Sequence, residues 1–150
     1  MGTTTFTGPI KAGDVLDTTG STAGTVKNVG FCMMAQTVAL TQASTTSATA
    51  TTICLPANSH IVQMQLLNTA GWSGASPVIS VGTTTSANEL ASAVTVSAIG
   101  INAITPGTDA TRTGKWSNVG TSDVILYVLS ANTGAGVGDL VVRYIQAENA

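Results

Sequence analysis

Between His60 and Leu67 the chain alternates: Val62, Met64 and Leu66 fall on one side of an extended backbone, Gln63 and Gln65 on the other. A repeat of two is the mark of a strand with one buried face, and a slip of one residue would turn the whole apolar set outward. The surrounding sequence follows from this strand. Leu55 to Val96 reads as two long strands of one sheet, His60–Leu67 and Pro77–Gly82, joined by a loop over Ala70–Ser76 that carries two glycines and Trp72. Pro56 and Asn58 make the turn that precedes them. Ser86 and Glu89 have capping-box spacing, so a single helical turn is expected before Leu90, with a third strand after it.

Other segments supply partners. Val29–Gln42 is apolar on both alternating faces, which predicts an inner strand or one covered on both sides, with Met33 and Met34 filling the core. Ala43–Ala48 is a polar turn and Thr49–Leu55 a strand. Ile99, Ile101 and Ile104 give short strand character, Pro106 to Gly114 reads as a surface loop, and Trp116–Val119 as a short edge strand. Asp109, Arg112 and Lys115 form the densest charge and are assigned to solvated loop. Asp123–Ser130 and Leu140–Gln146 are expected to close the fold as a hairpin across the glycine-rich segment Ala131–Asp139. Cys32 and Cys54 sit in apolar runs, which favours buried free thiols over a disulfide.

Charged residues make up 8% of the chain, against about 25% in ordinary soluble domains, and threonine, serine, glycine and alanine take their place. Threonine and valine favour strands, while the Lys, Glu and Arg that coat solvated helices are scarce. The expected fold is all-β: an antiparallel β-sandwich, jelly-roll-like, of seven or eight strands over residues 29–150. Residues 1–28 hold few large apolar side chains and read as an extended N-terminal arm, ordered by whatever it lies against, or as a flexible tail.

The inventory also narrows function. Five basic residues are scattered along the chain, so there is no footprint for nucleic acid. No run approaches the ~18 apolar residues of a membrane helix. His60 is the sole histidine and no cysteine has metal-ligand spacing, so neither a metal nor another cofactor is expected. Gly71-Trp72-Ser73-Gly74 lacks the last glycine of a nucleophile elbow, and the glycines of Gly134–Gly138 suit a tight β-connection better than a dinucleotide fingerprint. The chain is expected not to be an enzyme. Trp72 fits burial against a neighbouring loop or subunit; the competing reading stacks it on a sugar ring.

Several segments resemble a known family when taken in order: Phe6-Thr7-Gly8-Pro9-Ile10-Lys11-Ala12-Gly13, Asn28-Val29-Gly30-Phe31, Ala35-Gln36, Leu55-Pro56-Ala57-Asn58-Ser59-His60-Ile61, Ile79-Ser80-Val81-Gly82-Thr83 and Val141-Val142-Arg143-Tyr144-Ile145-Gln146. Together they resemble the small structural proteins of tailed bacteriophages, capsid decoration (cement) proteins and minor head proteins among them. The resemblance implies a virion protein on the capsid exterior, assembled in the host cytoplasm, that bridges major capsid subunits and associates with itself as a homotrimer. Phe6, Pro9, Ile10, Val15 and Leu16 of the arm, with Trp72, are the expected partner contacts. A receptor- or glycan-binding tip of a head or tail fibre is the alternative.

Overall fold

The sandwich strands pair as a nested series, first with last and inward from there. In the computed structural model, which describes residues 33–146 and the backbone of two short flanking strands, β1 (Lys11–Ala12) pairs with β2 (Gly30–Phe31). The sandwich comprises β3 (Met33–Thr41), β4 (Thr49–Leu55), β5 (His60–Ala70), β6 (Val78–Gly82), β7 (Ala91–Thr95), β8 (Gly100–Ile104), β9 (Val124–Ser130) and β10 (Val137–Ile145). One antiparallel sheet has the order β3-β10-β5-β8 and the other β4-β9-β6-β7. Thus β3 pairs with β10, β4 with β9, β5 with β8 and β6 with β7. A long hairpin folded over on itself in this way is a jelly roll, and it confirms the all-β sandwich.

The two sheets share a single core. Leu40, Ile61, Met64, Leu66, Ile104, Leu140, Val142 and Tyr144 point inward from the first sheet; Ile53, Leu55, Ile79, Val81, Leu126 and Val128 meet them from the second. Each such side chain stabilises the fold by roughly 1.5–3 kcal/mol relative to an exposed one. Trp72, Val96, Leu90 and Val119, contributed by the connections, are buried with them.

Several expectations are corrected here. β5 and β6 lie in opposite sheets, and so do β9 and β10, so neither pair is a hairpin. Their connections are long enough to cross between layers, and crossing lets each inner face meet the other sheet. On β5, Val62 is exposed while Ile61 is buried: an extra residue opposite the Arg143–Tyr144 step forms a bulge that sets Val62 and Gln63 both outward. β3 is an edge strand, not an inner one, and Met33 (59% exposed) and Met34 (41%) are not core filling. Cys54 is a free, exposed cysteine because it alternates with the buried Ile53 and Leu55. Cys32 lies outside the described residues.

The segment assigned to loop and edge strand contains a helix, α1 (Ala110–Ser117). Its threonines and Gly114 are weak helix formers. Tertiary anchors offset that weakness: Asp109 caps the N-terminus by accepting from the Arg112 N–H at 2.9 Å, and Trp116 Nε1 donates to the Leu90 carbonyl at 2.9 Å. The reverse holds at Ser86–Glu89, where no helical turn forms. Glu89 reaches back past Ser86, accepting from the Thr83 N–H at 3.1 Å and from the Thr84 hydroxyl.

Candidate functional site

The loops divide between two ends of the sandwich, and the ends differ in chemistry. At one end the β3–β4, β5–β6 and β9–β10 connections converge on Gln42, whose side chain is fully buried. Its Nε2 donates to the Ser73 carbonyl (2.7 Å) and the Asn132 carbonyl (3.1 Å). Its Oε1 accepts from the Ser73 N–H (2.9 Å) and the Gly136 N–H (3.3 Å). The amide thus binds two incoming loops to the end of β3. Trp72 lies beneath the same loops, 2% exposed, where a Cβ on Gly136 would run into its ring. Asn68 performs a similar service beside it, donating to the Val96 (2.7 Å) and Ala98 (3.0 Å) carbonyls.

Among the described residues, the opposite end holds most of the charge. Glu89 from the β6–β7 connection and Asp109, Arg112 and Lys115 from around α1 line a cleft of about 300 Å³ with Asn88 and Thr111. The Arg112 Nε donates to the Asn88 carbonyl at 2.9 Å, and its Nη1 stands 3.7 Å from Asp109 Oδ2. The Arg112–Asn88 bond ties α1 to the β6–β7 connection. Partial burial pushes the Glu89 carboxyl upward, but hydrogen bonds from the Thr84 hydroxyl and from the N–H groups of Glu89, Thr83 and Asn88 outweigh it and hold the group below its ordinary value. Asp109 is also lowered, first by the Arg112 N–H and, against an opposing effect of desolvation, by the guanidinium charge and the Thr111 N–H.

The sheets between these ends carry almost no charge. Among the eight sandwich strands the ionised side chains are Asp139 and Arg143, both on β10, and Arg143 is engaged by Gln63. Met33, Val62, Ile101 and Val137 stand exposed on the outer face of the β3-β10-β5-β8 sheet, with Ile125 on the other. Such a surface is solubilised by hydroxyls and amides.

The structure treats the expected contact residues unequally. Phe6, Pro9, Ile10, Val15 and Leu16 lie outside the described residues. Trp72 is enclosed by loops of its own chain and is not presented to a partner or a sugar, which corrects its assignment to an interface. His60 sits at a strand start with Nδ1 3.4 Å from the Ser117 carbonyl. No group of three or more His, Cys, Asp or Glu that could hold a metal ion occurs among the described residues. Sequence reasoning missed the cleft, although the close spacing of Asp109, Arg112 and Lys115 was its visible half; the other half, Glu89, comes from a separate connection. No family model, curated protein or solved structure matches this chain.

Proposed function

We propose that this chain is a virion structural protein of the decoration type, which binds the outside of a tailed-phage head and bridges its major capsid subunits. The observation that carries the reading is the exterior of the β3-β10-β5-β8 sheet, where Met33, Val62, Ile101 and Val137 stand exposed and the charged residues are Asp139 and Arg143, the latter engaged by Gln63. Docked against protein, such a face leaves few charges to be desolvated without a partner. The motif resemblance supports the same assignment. Many copies on a symmetric lattice let modest contacts add through avidity, and binding the assembled shell better than free subunits stabilises it by mass action. A homotrimer on three-fold positions suits that geometry. The role is structural and needs no turnover chemistry. Val15 and Leu16, beyond the β1 pair, are candidates for further shell contacts.

The test is antibody to the chain applied to tailed virions from the source of the gene. Label across the head surface is expected. Label confined to fibre tips, or none on virions, would overturn the reading.

The charged cleft favours a second reading, a receptor- or glycan-binding tip, because Asn88, Asp109, Arg112 and Lys115 offer donors and acceptors at one loop end. A glycan array separates the two, and Arg112→Ala abolishes any binding that uses the cleft.

A further inference from the structure

Edges of a sheet invite pairing with other chains, and folded proteins blunt them with short strands, bulges, charges or proline. Three of the four edges here are blunted. β7 spans five residues and is interrupted by Ala93 at φ 51°, β8 spans five residues from Gly100 at φ 96°, and β4 loses register between Ala50 and Cys54. β3 is different: nine residues without charge or proline, paired with β10 in unbroken register from Met33–Ile145 to Thr41–Val137. Its other edge has no partner among the described residues.

A second peculiarity lies on the same strand. Met34 alternates with the inward-facing Gln36, Val38 and Leu40 and stands opposite the buried Tyr144, yet it is 41% exposed. Beside it the Gln36 amide spans the seam between the sheets, donating to the Cys54 carbonyl at 2.6 Å and accepting from its N–H at 3.1 Å. The core is therefore open at this margin, where among the described residues the Gln36 side chain hydrogen-bonds across it.

We propose that the free edge of β3 is the docking surface for residues 3–9 of the same chain, which add a fifth antiparallel strand to the sheet. The separate β1–β2 pair supplies the register to extend: Lys11 faces Phe31 and Ala12 faces Gly30, and carried on past Cys32 each step toward the N-terminus would match a step into β3. Pro9 then falls opposite Met33, Gly8 opposite Met34, Phe6 opposite Gln36 and Thr3 opposite Ala39. Continued pairing on the β10 side is blocked, because Ile145 already occupies the place opposite Met33. Cross-strand partners share a face. The register therefore sets Phe6, the one aromatic of the segment, over the open seam, with a glycine beside the Met34 side chain. Thr3, Thr5 and Thr7 fall on the outer face, and β-branched residues suit that role. The inference does not depend on the head-decoration reading.

The test is a disulfide trap in the full chain, with Cys32 and Cys54 replaced by serine. Thr5→Cys with Thr37→Cys places thiols at directly opposed outer-face positions, whereas Thr4→Cys with Thr37→Cys sets them on opposite faces. Rapid oxidation of the first pair within one chain and not of the second is the expected result. Crosslinking between chains, or equal rates for both pairs, would overturn it. Hydrogen exchange gives an independent reading on the chain without engineered cysteines. The β3 amides that do not bond β10 should exchange at least ~10-fold faster in Phe6→Ala or after deletion of residues 1–10; unchanged exchange would also overturn the proposal.

Discussion

Gln42 and Gly136 are joined by two hydrogen bonds: the Gln42 N–H donates to the Gly136 carbonyl at 2.8 Å, and the Gly136 N–H donates to Gln42 Oε1 at 3.3 Å. The side chain thereby continues the backbone pairing of β3 and β10 past their ends. Gln42→Ala takes the side-chain acceptor from the Ser73 N–H and the buried Gly136 N–H, while the Ser73 and Asn132 carbonyls keep their bonds from Asn132 Nδ2 and Ser130 Oγ. The expected loss is about 2–4 kcal/mol. Urea unfolding measures it, and the melting temperature should fall by roughly 5–15 °C.

Trp72 and Gly136 are packed so closely that they should be energetically coupled. Gly136→Ala forces a methyl into the ring and is expected to cost about 1–3 kcal/mol. Trp72→Ala opens a cavity and should cost about 3–5 kcal/mol. Removing the ring relieves the nearest clash, while the Trp72 Cα still stands 2.8 Å from the added methyl, so the double variant should be less destabilised than the sum of the single variants but not free of the Gly136→Ala cost; urea titration of all four proteins gives the coupling. Trp72 Nε1 has no hydrogen-bond partner in its buried site. Trp72→Phe removes that unpaired donor and should remain within about 1.5 kcal/mol of the parent.

Acid should weaken the charged end. The Glu89 carboxyl is held below its ordinary value of 4.5, and Asp109 below 3.8. A lowered carboxylate contributes stability that is complete above the unfolded-state value and is lost as pH falls through the lower folded-state value. Melting temperature should therefore decline as pH drops below the ordinary glutamate range. In Glu89→Gln the curve should be flatter there, with a lower plateau near neutrality, because Thr83 and Asn88 lose a charged acceptor.

Cys54 should react with a thiol reagent in the native protein. In a Cys32→Ser background, labelling should proceed to one thiol per chain without denaturant, as its exposed position on β4 requires. A thiol that appears only in urea would contradict the strand assignment.

Val62→Lys and Ile101→Lys place charge on the outer face of the β3-β10-β5-β8 sheet, where both side chains are exposed. Stability should change by no more than about 0.5 kcal/mol. Retention on phage heads, measured by co-sedimentation, should fall at least ~10-fold if this face meets the shell.

What the sequence revealed was local. Leu140, Val142 and Tyr144 announced their shared face through alternation alone, and Thr49–Leu55 was bounded by turn residues on both sides. Sheet membership was hidden because a loop such as Gly71–Pro77 does not declare whether it returns beside its strand or crosses to the other layer. Val62 misled because a bulge changes phase without changing composition. Gln42 looked like an ordinary polar residue at a strand end; its burial depends on Ser73, Asn132 and Gly136, which are remote in sequence. The cleft was half visible for the same reason, since Glu89 meets α1 only after β6 and β7 have turned.

Met33 opposite Ile145 places the start of the first sandwich strand next to the finish of the last. A short linker between them would close the sandwich into a ring, which could be cut in the exposed turn at Pro106–Thr108 to give a circular permutant with the same neighbours throughout. The same adjacency means that a peptide grafted after β10 emerges alongside the start of β3, whereas cargo inserted at the Gln42 end would lie at the far pole.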